Sequence, residues 1–291
     1  MNLITIFTPT YNRAHLLPRL YESLKRQTCK DFDWLVVDDG SSDGTNMLLE
    51  AWQRETDFAI RYIYKENGGK MKAHNLGVME CKTELFMCLD SDDYLTDDCV
   101  ERIYVNWDKH KSCKDVAGMV AYREMSGQKA FFFPEVVYST LQNINRTYVG
   151  ETALAFKNDI LKAYLFPELE GENFIAEGYV YDQLDAKYQL AVIPEYWIKC
   201  EYQKGGLTDT ALSLLVKNPK GWALNAKIKY SFRASSFKDR IRWTSTYICA
   251  SLFAGCGIGD IIMNAPNALM CILCFPLGVA QKLNNSRKLK K

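Results

Sequence analysis

The segment "LFMCLDSDD" (residues 85–93) runs from five apolar residues straight into three carboxylates, Asp90, Asp92 and Asp93. The apolar half has the length and composition of a buried strand. The acidic half sits where that strand ends, and crowded like charges there repel and are costly to desolvate. Asp38 and Asp39 repeat the arrangement after "WLVV" (residues 34–37), at the end of a second apolar run. Capping and turn formation would explain one such cluster. Five carboxylates gathered at one edge repel unless a cation or a hydrogen-bonding ligand joins them. Oxygen ligands of this kind suit Mg2+ or Mn2+, ions that keep waters and substrate phosphates in their shell.

Outward from these segments the same alternation recurs. Residues 3–8 (LITIFT) predict a first strand, Tyr11-Asn12-Arg13 a loop, and 14–27 a helix with Leu16, Leu17, Leu20 and Leu24 at helical spacing. After the second strand, Asp43 is placed to cap a helix reaching Glu55. Residues 59–64 (AIRYIY) give a third strand, Asn67-Gly68-Gly69 a break, and 71–80 a helix. The fourth strand is 85–89; Thr96 is placed to cap a helix over 97–109, and 116–122 reads as a fifth strand. Residues 124–150 read as a loop-rich insertion, and 158–164 and 177–188 as helices. Val192-Ile193 and Trp197-Ile198 read as short strands on either side of Pro194. Strands alternating with helices through short loops predict an α/β fold with a mostly parallel sheet flanked by helices. Right-handed crossovers bring every strand-to-helix loop to one edge, where open α/β sheets bind their ligands. The loops at 8–13, 38–42, 66–70 and 90–95 are expected to meet there.

The bulk properties set the frame for this reading. A chain of 291 residues, 48% apolar, has room for one large domain or a domain with an appendage, and is too apolar for global disorder. Charge divides by position: residues 217–291 carry 13 Lys and Arg against two acids, Asp239 and Asp260, while residues 1–216 carry 23 basic and 33 acidic residues. The split predicts a domain over 1–216 and a basic, apolar helical extension over 217–291. The ten cysteines are scattered in apolar contexts; Cys271 and Cys274 have C-x-x-C spacing without a second pair, which reads as buried or lipid-facing thiols rather than zinc ligands. The start, Met1-Asn2-Leu3-Ile4, lacks the pattern of a signal peptide, so a reducing, cytoplasmic setting is the expectation.

Four ordered blocks, "TIFTPTYNRAHLLPRLYESLKRQT", "FDWLVVDDGSSDGT", "ENGGKMKAHNLGV" and "FMCLDSDD", resemble the family 2 glycosyltransferases of the GT-A (Rossmann-like) fold. The resemblance is dense over about residues 2–110 and looser to about 210. It implies transfer of a sugar from a nucleotide-diphosphate donor, a UDP-sugar by default, with inversion, a D-x-D motif, and Mn2+ or Mg2+. It assigns Pro9, Thr10 and Tyr11 to the base, Arg13 to the nucleotide, and Asp39 to the base or ribose. Asp90, with Ser91, falls near the ribose or donor sugar, Asp92 on the metal, and Lys70 and Asn75 near the diphosphate or donor sugar. Asp93 divides between capping the next turn and ligand contact. His74 stands where the family often has a basic residue, and a histidine there is expected to add little charge at neutral pH.

Inversion requires a general base for the acceptor hydroxyl. The family commonly supplies it from a Glu-Asp pair opening a helix, whereas this chain reads "GENFIAEGYVYDQL" (residues 171–184), with Gly178 after Glu177. A subgroup of bacterial polysaccharide enzymes has a similar "EG", and "GGLT" (residues 205–208) also resembles that subgroup. Glu177 is therefore assigned as base, with Asp182 in reserve and Glu172 behind it; a helix-start carboxylate favoured by the dipole is the alternative. Trp52, Tyr122, Tyr179, Tyr181 and Trp197 could stack on sugar rings, but such aromatics more often belong to core or rim.

In the rear, residues 217–245 mix Lys and Arg with apolar residues at helical spacings. The apolar pieces 247–258 and 268–280 are each shorter than the roughly 20 residues of a spanning helix. Interfacial helices or a re-entrant hairpin at the cytoplasmic face of a membrane are expected, with an ordinary helical cap as the alternative and no nucleic acid as partner. The leading functional reading is an inverting glycosyltransferase acting on a lipid-linked or other glycan in surface polysaccharide synthesis. The alternatives are a polyprenyl-phosphate glycosyltransferase and a catalytically silent nucleotide-sugar-binding subunit.

Overall fold

Apolar runs punctuated by polar loops place β1 (Ile4–Thr10), β2 (Phe32–Asp38), β3 (Ala59–Tyr64) and β4 (Leu85–Cys88) side by side and parallel, in the order β3-β2-β1-β4. The computed structural model describes residues 2–125, 133–201, 207–232 and 235–290. The crossovers are α1 (Leu17–Lys25), α2 (Thr45–Glu55) and α3 (Lys70–Glu80). β1 is buried at every position because helices cover both faces of the sheet. On one face Ile4, Ile6, Trp34, Val36 and Met87 pack with Leu20 and Leu24 of α1 and Trp52 of α2. On the other, Phe7 stacks on Phe86 (centroids 5.1 Å apart) and meets the His74 ring of α3 edge-on.

The rest of the sheet is built from β5 (Tyr94–Leu95), β6 (Val116–Met125), β7 (Tyr138–Ser139), β8 (Thr152–Lys157) and β9 (Gln189–Cys200). α4 (Cys99–His110), α5 (Leu141–Thr147) and α6 (Asn158–Leu161) lie between them in sequence. The full path is β3-β2-β1-β4-β8-β6-β9-β5, with β7 on β9. Here the expectation of a mostly parallel sheet is corrected. β8 lies between β4 and β6 and runs antiparallel to both, and β5 and β7 are antiparallel to β9, so the sheet is mixed. β8 was not foreseen because "TALAFK" has no long β-branched run. Its place depends on Gly118 of β6, where a Cβ would stand 2.1 Å from the Ala155 carbonyl oxygen.

Other boundaries also shift. The two short strands around Pro194 are one strand, β9. Between Val120↔Val192 and Tyr122↔Tyr196 the β6–β9 register slips, so Pro194 lies in a bulge that needs no ladder N–H. Gly44, at φ 86°, holds the N-cap position of α2, while Asp43 just before it accepts from Thr45 N (3.3 Å) at the first helical residue, from the Thr45 hydroxyl and from Ala14 N. Thr96 does not cap α4, whose N-cap residue is Asp98; its hydroxyl donates to the Tyr196 carbonyl at the sheet edge. Trp52 and Trp197 are core residues, Trp52 lying flat on Tyr21 at 4.2 Å, and Tyr122 is buried against Phe133; none of the three is a sugar platform.

The chain divides into two compact units, Met1–Leu165 with Lys187–Gln203, and Phe166–Ala186 with Lys204–Lys291. Residues 166–186, expected with the first domain, thus group with the C-terminal helices. The second unit contains α7 (Gly178–Asp185), α8 (Leu207–Lys217), α9 (Pro219–Ser231), α10 (Phe237–Phe253), α11 (Ile258–Met263) and α12 (Ala268–Lys288). Its core joins Trp222 and Ala226 of α9, Tyr247 to Ala250 of α10, Ile261 of α11, and Cys271 and Cys274 of α12. The C-x-x-C thiols are thus one turn apart on a packed helix face. Ser236 and Asp239 form a reciprocal capping box at the start of α10.

The contact between α3 and β1 yields the first prediction. A Cβ on Gly77 would lie 2.3 Å from the ring of Phe7, which is fully buried against Phe86. Alanine gains about 1 kcal/mol in helix propensity, but overpacking costs about 1–3 kcal/mol. Because the added Cβ would sit well inside contact distance of a fully buried ring, the overpacking cost falls in the upper half of that range, and Gly77→Ala is expected to lower the urea unfolding free energy by about 1–2 kcal/mol; an unchanged or higher midpoint would contradict this packing.

Candidate functional site

Parallel strands with helical crossovers carry their strand-to-helix loops to one edge, and hydrogen bonds tie these loops together. Asp39 N donates to Thr10 O (2.8 Å), Asn12 N to Ser41 Oγ (2.8 Å), and Ser42 N to Asn12 Oδ1 (2.8 Å). The four loops expected to converge do so.

Each carboxylate at this edge has its own partners. Asp38 accepts from Ser41 N (2.8 Å) and the Tyr62 hydroxyl (2.8 Å), which makes it a turn-holder. Burial, then the bond to Asp38, raises the Tyr62 phenol. Asp39 accepts from Gly68 N (2.9 Å) and Gly69 N (2.7 Å) and pairs with Lys65. Gly69, at φ 94°, supplies the backbone conformation that aims its N–H at Asp39. Lys70, the next residue, reaches Asp90 at 2.7 Å. Arg13 reaches Asp92 at 3.0 Å and lies 3.5 Å from the Ser91 hydroxyl. Asp93 faces Arg123 of β6 at 3.4 Å, and Arg123 also pairs with Glu151 at 2.8 Å.

The electrostatics separate these acids. Burial alone would raise the Asp90 carboxyl; Lys70, Arg123 and Arg13 outweigh it and bring it down to about 2. Burial pushes Asp93 up; Arg123 opposes this and Asp90 and Asp92 add to it, leaving that carboxyl at about 6. Asp90 therefore stays charged as pH falls through the weakly acidic range, whereas Asp93 takes up a proton there.

The first unit thus brings together Arg13, Asp39, Lys70, Asp90, Ser91 and Asp92. Pro9 is buried in β1 beside Val37, and Tyr11 is exposed just past the strand. The Thr10 hydroxyl is buried and lacks a hydrogen-bond partner among the described residues, a group that a bound molecule can satisfy. Asn75 lies one turn farther along α3, half-buried. His74 is buried between Phe7 and Phe86, so it is a packing residue. Among the described residues no three His, Cys, Asp or Glu side chains converge as a metal-binding set. The chain's oxygen donors fit Mg2+ or Mn2+ where Asp92 contributes one ligand and phosphate oxygens and waters supply the others.

The other predicted residues belong to the second unit. Glu177 is exposed at the N-cap of α7 and makes no side-chain capping bond. Asp182 is buried and pairs with Lys229 at 2.7 Å. Glu172 accepts from Lys220 N (2.6 Å) and Gly221 N (2.7 Å) at the start of α9, a structural duty. Of "GGLT", Gly205 and Gly206 lie outside the described residues. Lys65 and Arg123 were missed by sequence reasoning. Arg123 had a signal, as the one cation in the strand "VAGMVAYREM", following seven residues without a charge, and Lys65 directly follows β3 at the same edge.

Comparison with known proteins agrees with this architecture. Residues 5–157 match the profile of glycosyl transferase family 2, and the chain belongs to that family. Glycosyltransferase GlyA of Streptococcus pneumoniae is 28% identical over 176 residues, 57% of this chain and 25% of GlyA. The poly(ribitol-phosphate) beta-N-acetylglucosaminyltransferase TarS of Staphylococcus aureus is 26% identical over 191 residues, 62% of this chain and 33% of TarS. The chain spans less than half the length of these relatives. Its fold is GT-A-like: a crystal structure of TarS residues 1–349 with UDP-GlcNAc covers 99% of this chain and 91% of the solved chain, at a TM-score of 0.58 and 17% identity. A Pyrobaculum calidifontis mannosyltransferase solved with GDP-Man and Mn2+ matches 96% of this chain and 86% of its own, at a TM-score of 0.55 and 15% identity.

Asp39→Ala would leave the Gly68 and Gly69 amides and Lys65 without their acceptor. Stability is expected to fall by about 1–3 kcal/mol. In hydrogen exchange, these two amides should exchange roughly 10- to 100-fold faster. Unchanged exchange at both would show that something other than Asp39 holds the loop.

Proposed function

We propose that this member of glycosyl transferase family 2 moves a sugar from a UDP-sugar, with inversion, to a hydroxyl of a glycan or lipid-linked acceptor in surface polymer synthesis. The observation that carries the reading is the shared edge, where Asp39, Lys70, Asp90 and Asp92 are joined through the Gly68–Gly69 backbone and Arg13. A nucleoside diphosphate sugar has complementary parts: donors on base, ribose and sugar for the carboxylates, and phosphates for the cations. The TarS likeness supports UDP as the nucleotide, and the relatives' surface-polymer names support the acceptor class.

Roles follow from position and chemistry. Asp39 orders the 65–70 segment: Oδ1 accepts from Lys65 and Gly68 N, and Oδ2, which accepts from Gly69 N, keeps a second lone pair for the nucleoside. Thr10 offers its buried hydroxyl at the same edge. Arg13 and Lys70 carry the positive charge nearest to Asp92 and Asp90, and stabilise negative charge developing on the departing diphosphate. Mn2+ or Mg2+, held by Asp92 together with phosphate oxygens, would supply Lewis-acid stabilisation of that leaving group. Glu177 takes the proton of the acceptor hydroxyl as its oxygen attacks the anomeric carbon opposite the diphosphate. The bond from that carbon to the diphosphate oxygen breaks, UDP departs, and configuration inverts. Asp182 is unsuited to this step because its carboxylate is buried on Lys229.

The test is transfer from a panel of UDP-sugars to lipid-linked glycan in Mn2+, with product anomeric configuration read by NMR. Asp92→Ala and Glu177→Gln are each expected to lower kcat about 10²- to 10⁴-fold. UDP titration should show affinity weakened in Asp92→Ala and retained in Glu177→Gln. Turnover on polyprenyl phosphate that survives Glu177→Gln, or UDP-sugar binding without turnover on any acceptor, would overturn the assignment.

A further inference from the structure

Helix α12 has two faces of different character. Inward, Cys271, Cys274, Gly278 and Asn285 are buried, and a Cβ on Gly278 would lie 2.5 Å from Ile248 of α10. Gln281 donates to the Thr246 hydroxyl (3.3 Å) and Lys282 to the Leu252 carbonyl (3.0 Å), which fixes the rotation of the helix on α10. Outward, Leu269 (68% exposed), Ile272 (52%), Leu273 (68%) and Leu277 (53%) form a stripe at i, i+3, i+4 and i+8. Pro276 and Ala280 lie exposed along the same side, and no charged residue occurs between Asp260 and Lys282. Isolated exposed leucines are ordinary, but a continuous apolar stripe marks an interaction surface.

What covers the stripe is indicated by the charge that continues from it. Arg287, Lys288 and Lys290 are exposed at the end of the helix and its exit, and they have no acidic partner among the described residues. No carboxylate side chain follows Asp260 in the sequence. No described helix is long and apolar enough to cross a membrane. The apolar stripe measures about 12 Å along the helix axis from Leu269 to Leu277, so α12 suits a position in the plane of a lipid surface rather than across it.

We propose that the outward face of α12 is a lipid-surface site. Leu269, Ile272, Leu273 and Leu277 enter the acyl boundary of an anionic leaflet, and Arg287, Lys288 and Lys290 meet its phosphates. The inference stands on the second unit alone and does not depend on the proposed transfer reaction.

The full chain is floated with phosphatidylcholine vesicles containing about one third phosphatidylglycerol and with phosphatidylcholine vesicles alone. Binding is expected only with the anionic vesicles at low salt. Leu273→Glu/Leu277→Glu should abolish it with Tm unchanged, since both side chains are exposed. Arg287→Gln/Lys288→Gln/Lys290→Gln should weaken it about 10- to 100-fold. Three results would overturn the proposal: the wild-type chain failing to float with anionic vesicles, the double glutamate variant floating as well as wild type, or a concentration-dependent dimer abolished by that variant without vesicle binding. UDP titration of the same samples keeps the outcome separate from that of the proposed activity.

Discussion

Carboxylates crowded at the ends of buried strands cannot remain charged without partners, and the first unit is organised around meeting that requirement. Five aspartates occupy the ends of β2 and β4, and each has a defined neighbour: Asp38 the Tyr62 hydroxyl, Asp39 the Gly68 and Gly69 amides, Asp90 Lys70, Asp92 Arg13, and Asp93 Arg123. Because these neighbours come from other loops, satisfying the acids also fixes the loops. One sequence segment, Gly68-Gly69-Lys70, serves two acids from separate strands, so the positions of Asp39 and Asp90 are coupled through two peptide units. Under the proposed function, metal and diphosphate would enter a site whose acids already have partners, and binding would be an exchange of partners.

The cations differ in what they can release. Lys70 and Arg13 pair with half-buried carboxylates, and in the proposed reaction they would turn toward the donor's phosphates. Arg123 is committed more deeply, facing the buried Asp93 and pairing at its outer end with the exposed Glu151. Withdrawing a guanidinium from such a pair leaves an uncompensated buried charge. Arg123 therefore ties β6 to the acidic loop and favours the charged form of Asp93.

The second unit follows different physics. Its helices close a small core around Trp222, Tyr247 and Cys271, yet α12 leaves Leu269, Ile272, Leu273 and Leu277 exposed. The inward face is fixed by the close approach at Gly278 and by polar bonds from Gln281, Lys282 and Asn285. The helix cannot rotate to hide its leucines without breaking these contacts.

Sequence alone determined the α/β alternation, the four strands of the parallel half, the convergence of their loops and the acidic character of the edge. These follow from local apolar runs and short polar breaks, which the chain displays residue by residue. It also marked most of the edge residues, because an acid at the end of a buried strand is conspicuous wherever it occurs. Only the tertiary structure decided the partners. That Asp39 takes two glycine amides, that Arg123 faces Asp93, that β8 inserts antiparallel beside Gly118, and that His74 and Trp52 are packing rather than site residues all depend on contacts between segments far apart in sequence. Such contacts are set by close approach and burial, quantities that no stretch of sequence contains by itself. The grouping of residues 166–186 with the C-terminal helices was hidden for the same reason: composition changes along the chain, whereas a packed unit is defined by which surfaces leave water together.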